Sequence, residues 1–319
     1  MTLVRWLLVA GAFLLVLAAS TAPTALAQDM DKIGLGPVLS QIKGTRTVRV
    51  GYRASSPPFS FLDGAGHPIG YSLELCSAIV DEIGREVDEP AKETDVRIIP
   101  GLKIEYVAVT PETRIPMLVD RKIDLECGST TANAERARQV AFSPLIFVAG
   151  TRLLVPRAAG VHSIRDLKGK AIGVTRGTTN EKAIADAGAK FGLDIRIVTS
   201  ADHEESFRML AERKVDAFAT DDILLYGLIA RHQAQQQFEV VGDLLSYEPY
   251  GIMYSRDEPE MKEIVERTFR RMAEDGDLVP LYMKWFRARL PTGERLNVPM
   301  SRELEDSFSA LGSTITRGN

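Results

Sequence analysis

Twice along this chain a short apolar run ends in glycine and hydroxyl residues, just ahead of a segment with helical spacing. The first is Ile123-Asp124-Leu125-Glu126-Cys127-Gly128-Ser129-Thr130-Thr131, with Arg136 close behind. The second is Ala171-Ile172-Gly173-Val174, which runs into Gly177-Thr178-Thr179 and a helix expected from about Asn180. Strands that feed helices in this way build mostly parallel α/β sheets, where small ligands sit beyond the carboxyl ends of the strands. Helix N-termini attract anions, and a guanidinium grips a carboxylate with a two-pronged fork. Ser and Thr also lead the ordinary N-cap preferences, so the first run alone fits a plain cap as well as a ligand site. No residue beside it is placed to react with a bound carboxylate.

The rest of the chain extends the alternation. Val48–Tyr52, Ile104–Val109 and Ile123–Glu126 read as strands, separated by a helical pattern through Leu73, Leu75, Ile79, Val80 and Ile83 and a short helix at Arg114–Val119. The pattern then repeats, with strands at Thr151–Val155, Ala171–Val174, Ile195–Thr199 and Ala217–Thr220 and helices at Ser163–Leu167, from Asn180 and at Glu204–Glu212. Tyr250–Tyr254 and an amphipathic helix over about Glu258–Ala273 follow, then Trp285 and a polar tail expected to be poorly ordered after Pro299.

The first residues have the form of a secretory signal. Arg5 precedes an apolar stretch from Trp6 to about Ala19, and Ala25-Leu26-Ala27 gives a small-x-small cleavage pattern near Ala27. No later stretch approaches the ~20 apolar residues of a membrane span, so a soluble, exported chain of about 290 residues is expected, enough for two lobes of ordinary size. Removing residues 1–27 takes one base and no acid from 39 Lys+Arg and 43 Asp+Glu, which changes the formal charge from −4 to −5. That balance offers nothing to nucleic acid. Cys76 and Cys127 fall at one end of the expected first sheet; a disulfide and two buried thiols both fit, since geometry decides between them.

Four stretches carry a resemblance to a known family. They are Gly51-Tyr52-Arg53 with Pro58-Phe59, Gly70-Tyr71-Ser72-Leu73-Glu74-Leu75, the run from Glu126 to Ala141-Phe142-Ser143, and Asp166-Leu167-Lys168-Gly169-Lys170 leading to Gly177-Thr178-Thr179. Together they resemble periplasmic solute-binding proteins of the polar amino-acid class, family 3, which serve ABC importers. Arg114-Ile115-Pro116, Glu126-Cys127-Gly128-Ser129-Thr130-Thr131 and Gly150-Thr151-Arg152-Leu153-Leu154 are most similar to its glutamate/aspartate-binding branch. Ser72 departs from the family pattern, which usually has an acid there. The resemblance implies a type II fold of two α/β lobes joined by two crossover strands. Lobe one would comprise residues 28–147 plus 251–319, and lobe two, inserted, residues 148–250.

It also implies a site. Arg136 matches the arginine that clamps the α-carboxylate, helped by Thr131 and the N–H groups around Thr178 and Thr179. Asp221 matches the ammonium-binding acid, and Ser129 adds an acceptor. Arg53, Arg114 and His203 would meet a second carboxylate on the ligand side chain. The hydroxyl expected three residues before Arg114 is replaced by Pro111, with Thr110 and Thr113 as substitutes. For Arg53 a solvated surface position, and for His203 an exposed loop position, are the rival readings; Phe59, Phe61 and Tyr71 fit core better than pocket.

The expected function is capture of L-glutamate or L-aspartate by cleft closure and delivery to a membrane permease, by a monomer without metal or cofactor. The rival from another class is a periplasmic cyclohexadienyl dehydratase on the same fold, with Glu74, Glu126 or Asp222 as general acid. Against it stands the pairing of Arg136 with Asp221, which describes a free amino acid. A receptor ectodomain is a third possibility, but no second membrane segment is apparent. Four scattered histidines form no H-x-x-x-H pair, and Gly177-Thr178-Thr179 lacks a P-loop lysine.

Overall fold

The computed structural model describes residues 35–88 and 101–315. The expected signal segment and its cleavage site lie outside them.

Two five-stranded mixed sheets organise the chain, and they share one plan. The first runs in the order Lys103–Ala108, Thr47–Tyr52, Leu125–Glu126, Met253–Ser255, Val140–Phe142, with the first three parallel and the last two alternating in direction. The second runs Arg196–Ser200, Ala171–Thr175, Ala217–Asp221, Thr151–Pro156, Phe238–Val241, again three parallel strands followed by two antiparallel steps. The fourth strand of each sheet directly follows a passage between the lobes. Those two passages, Phe147–Ala149 and Glu248–Tyr250, pair with each other antiparallel. Parallel strands need helical crossovers that cover both faces, which accounts for the alternation in the sequence.

Burial follows the periodicities. The helix Tyr71–Val87 buries Tyr71, Leu75, Ile79, Ile83 and Val87, a four-residue repeat along one face. Strand Ala171–Thr175 is buried throughout, as a central parallel strand must be. The first lobe has one large core in which Phe59, Tyr71, Phe147, Tyr250, Tyr282 and Phe286 make a chain of edge-on and stacked ring contacts. Phe147 and Tyr250 belong to the crossover strands, so both passages are rooted in the core of that lobe. The second lobe has two smaller clusters, one built around Leu153, Ile172 and Ile184 and the other around Phe207, Phe218 and Leu228.

Cys76 and Cys127 form a disulfide, with 6.3 Å between Cα atoms, from the helix Tyr71–Val87 to the turn after strand Leu125–Glu126. Two expectations need correction. The Gly128 run does not open a helix: Thr131 bridges to Tyr250, and Arg136 lies in a three-residue 3-10 turn, Arg136–Arg138. Hydroxyl-rich sequence satisfied by a crossover strand mimics a cap, so no helix N-terminus contributes at that strand end. Up to Ile315 the tail is not loose, since Ser301 caps a helix, Arg302–Ala310, whose Leu304 and Phe308 are buried in the first core. Tyr250–Tyr254 spans the end of one strand, Glu248–Tyr250, and the start of another, Met253–Ser255, because the chain changes sheets at Gly251.

Candidate functional site

The carboxyl ends of the two sheets face one cavity. Arg53, Arg114, Ser129, Thr131, Thr178, Thr179, His203 and Asp221 line it, together with Asn180 and Leu224. Arg136 lies just beyond, on the floor of an adjoining groove of about 800 Å³ that Thr178, Thr179 and Glu248 also line. All nine residues singled out in the sequence therefore converge on one region. Asn180, Leu224 and Glu248 were missed.

The first lobe supplies cations. Arg53 follows strand Thr47–Tyr52, with its backbone N–H held by Ser60 Oγ at 2.9 Å. Gly128 is required beneath it, because a Cβ there would meet Glu126 Oε1 at 2.4 Å and Arg53 Cγ at 2.9 Å. Ser72 Oγ fixes the same turn by donating to Gly128 O at 2.7 Å, a role that needs a hydroxyl and not the acid usual in the family. Arg114 opens the helix Arg114–Val119 and donates to Thr130 Oγ1, which donates in turn to Glu126 Oε2 at 2.7 Å. Arg136 donates to Thr131 O at 3.0 Å and across the cleft to Gly177 O at 3.3 Å.

Arg53 and Arg114 are only 1% and 2% exposed, which rules out the surface reading of Arg53. Burial, reinforced by the Arg114 charge, pulls the Arg53 guanidinium down to about 9, and the same two causes bring Arg136 to about 10. Crowded, desolvated guanidiniums that still carry charge at neutral pH demand anions. Glu126 meets part of that demand. Arg53 Nη2, Arg114 Nε and Ser129 Oγ are buried without a hydrogen-bond partner among the described residues. Unmade bonds of this kind cost roughly 1–3 kcal/mol each, and more at charged groups, unless a ligand completes them.

The second lobe supplies acceptors. Asp221 ends strand Ala217–Asp221 and accepts from Asn180 Nδ2 at 2.6 Å and from the Tyr250 hydroxyl. Burial, and then the nearby Glu248 carboxylate, push it up to about 7, with the two hydrogen bonds pulling the other way. His203 is buried, not on an exposed loop, and Nδ1 lies 2.7 Å from Thr175 Oγ1. Burial and the Arg53 and Arg114 charges hold its pKa well below the ordinary imidazole value, so it enters the pocket as a neutral ring and not as a third cation. Thr179 opens the helix Thr179–Phe191 and leaves its N–H without an intrahelical acceptor, while Thr178 Oγ1 donates to Thr175 O at 2.7 Å.

Other expectations fall away. Thr110 and Thr113 bond to each other and are absent from the cavity wall, so they do not replace the hydroxyl lost at Pro111. Phe59, Phe61 and Tyr71 are core, as expected. Glu74 holds Lys284 and Trp285 away from the cavity, and Asp222 accepts from Gly150 and Ile223 N–H groups, so neither is placed as a general acid. Glu126 is fully buried behind the arginines and off the cavity wall; its Oε2 accepts from Thr130, and its Oε1 has no hydrogen-bond partner among the described residues.

Fold and site thus define a two-lobed solute binder whose cleft sets guanidiniums against a carboxylate. The chain belongs to the bacterial extracellular solute-binding proteins, family 3, whose model matches residues 48–288. It is 39% identical over 269 residues to an L-glutamate/L-aspartate-binding protein of Pseudomonas aeruginosa, covering 84% of this chain and 86% of that one. A glutamate/aspartate import solute-binding protein of Salmonella typhimurium is 37% identical over 276 residues, 86% of this chain and 87% of the relative. Among solved structures, an ancestral amino acid-binding protein described as a precursor of cyclohexadienyl dehydratase superposes with a TM-score of 0.64 at 30% identity, covering 78% of this chain and 99% of that one.

Proposed function

We propose that this chain captures L-glutamate or L-aspartate outside the cytoplasmic membrane and hands it to the permease of an ABC importer, acting as a monomer after cleavage near Ala27. Arg136 takes the α-carboxylate, with the N–H groups of Thr131 and Thr179. Asp221 takes the α-ammonium, and Ser129 adds a further acceptor. Arg53, Arg114 and the neutral His203 take the side-chain carboxylate. The observation that carries the reading is the pair of buried guanidiniums, Arg53 and Arg114, with unmade hydrogen bonds on the wall of a cavity that also holds Asp221. The two curated relatives named above, which bind or import these amino acids, support the same ligand class. A charged ligand enclosed by protein needs each charge paired, and this set offers a partner to all three.

The lobes would be residues 28–147 with 251–319 and residues 148–250, hinged at strands Phe147–Ala149 and Glu248–Tyr250, which fall at those junctions. None of the three acids considered for the dehydratase reading, Glu74, Glu126 and Asp222, is on the cavity wall. Titration calorimetry with L-glutamate, L-aspartate, L-glutamine and L-lysine tests the proposal. Acidic ligands are expected to bind tightly and lysine not at all. Tight lysine binding would overturn the pocket assignment, and conversion of prephenate to phenylpyruvate would overturn the binder.

A further inference from the structure

Glu248 was not foreseen in the sequence, yet it touches both walls of the cleft. It lies on the second crossover strand and is 2% exposed. Its Oε2 accepts from Thr131 Oγ1 of the first lobe at 2.5 Å and from Thr179 Oγ1 of the second at 2.6 Å. Its Oε1 accepts from Ser246 Oγ at 2.6 Å. Ser246 is 2.7 Å from Thr151 Oγ1, which accepts from Asn180 Nδ2, and Asn180 donates its other proton to Asp221. One hydrogen-bonded chain therefore joins the two carboxylates, Glu248 and Asp221.

Its polarity follows from counting protons. A hydroxyl has one proton to donate and two lone pairs, whereas a carboxylate only accepts. Thr131 and Thr179 give their single protons to Glu248, so toward the cavity both oxygens present lone pairs alone. We propose that Glu248 is a positioning residue that sets these two threonines as acceptors for the ligand's α-ammonium, which makes the site selective for α-amino acids over otherwise identical α-hydroxy acids. This deepens the function proposed above and rests on it. It also divides labour within each threonine: the backbone N–H faces the α-carboxylate, and the hydroxyl oxygen joins Asp221 around the ammonium. These oxygens, with Ser129, offer acceptors to all three N–H bonds of that group. A hydroxyl at the same carbon brings one proton and leaves at least one acceptor unmet, and sites built for a given donor discriminate strongly against ligands that lack it.

The test compares L-glutamate with L-2-hydroxyglutarate, which keeps both carboxylates and exchanges ammonium for hydroxyl. In Glu248→Gln the amide can donate to the threonine oxygens and turn their protons toward the cavity. Glutamate affinity is expected to fall about 10- to 100-fold, the scale of a lost hydrogen bond to a charged group, while the hydroxy acid changes less than about threefold. Thr179→Val, which removes one hydroxyl and spares Glu248, is expected to narrow the same ratio. It reads out the proposal if the glutamine variant fails to fold. Equal losses for both ligands in the folded variants would mean that Glu248 merely braces the hinge, and would overturn the assignment. If the unaltered protein binds no α-amino acid, the functional reading itself falls.

Discussion

The two lobes share a strand plan but not a chemistry. The first brings three guanidiniums, Arg53, Arg114 and Arg136, to the cleft, and braces them from behind with Glu126, Thr130 and the Gly128 turn. The second brings Asp221, a neutral imidazole and the start of one helix. Neither half alone matches a zwitterion. The first has cations to spare, and the second has a carboxylate whose burial resists ionisation. Closure around a molecule carrying both signs satisfies the two halves together, so in the proposed reading selectivity for amino acids is a property of the closed pair and not of either lobe.

That division is most easily broken at its two poles. Arg136→Ala in the first lobe and Asp221→Asn in the second should each weaken glutamate binding by roughly 10²–10³-fold, because each leaves one buried ligand charge unpaired at about 3–4 kcal/mol. Calorimetry on the two folded variants decides it. If either substitution costs less than about tenfold, that lobe is not the one meeting the charge assigned to it, and the division fails.

A gentler probe is pH. Asp221 faces Glu248, Tyr250, Asn180 and Asp222, and it acts on the Arg114 and Arg136 charges. Its pKa is raised in the folded protein to about 7, so the stability lost by ionising it in place sets in as pH climbs from about 4 to about 7. An incoming ammonium reverses the sign by favouring the carboxylate. Below about 7 each ligand must displace a proton, and affinity should fall by up to tenfold per pH unit, with a plateau above 7. Thermal shift with saturating glutamate at pH 6 and pH 8 should accordingly be larger at pH 8. A flat profile would show that the second lobe's carboxylate is already ionised without help from the ligand.

How much of this was visible in the sequence differs between fold and site. Strand–helix alternation was legible because central strands and amphipathic helices carry distinct periods, as in Ala171–Thr175 and Tyr71–Val87. The helix Asp222–Arg231 was not, since seven of its ten residues are buried on all sides and no polar face marks it. The terminal helix escaped because two apolar residues, Leu304 and Phe308, carry the anchoring of an otherwise polar stretch. Within the site, motif positions located the arginines and Asp221. They could not show that His203 is neutral, nor that Glu248 governs Thr131 and Thr179, because both depend on groups brought together only by the fold.

The smallest effect on binding is expected where the first lobe is most heavily reinforced. The Cys76–Cys127 bridge closes 51 residues of sequence and lies one residue from Gly128, so it could be imagined to hold the binding turn in shape. Yet that turn is already fixed by the Ser72 bond to Gly128 O, by Cys127 N–H on Gly51 O and by the pairing of Thr131 with Tyr250. What the bridge restrains instead is the unfolded chain, by about 4 kcal/mol for a loop of this length in the chain-entropy account. Replacing both cysteines with serine should therefore lower the melting temperature by roughly 10 °C while changing glutamate affinity less than about threefold. A large loss of affinity with little loss of stability would invert that expectation. The first lobe would then be a scaffold whose binding geometry depends on oxidation, and the contrast between a cationic lobe and an accepting one would have to be redrawn around the disulfide.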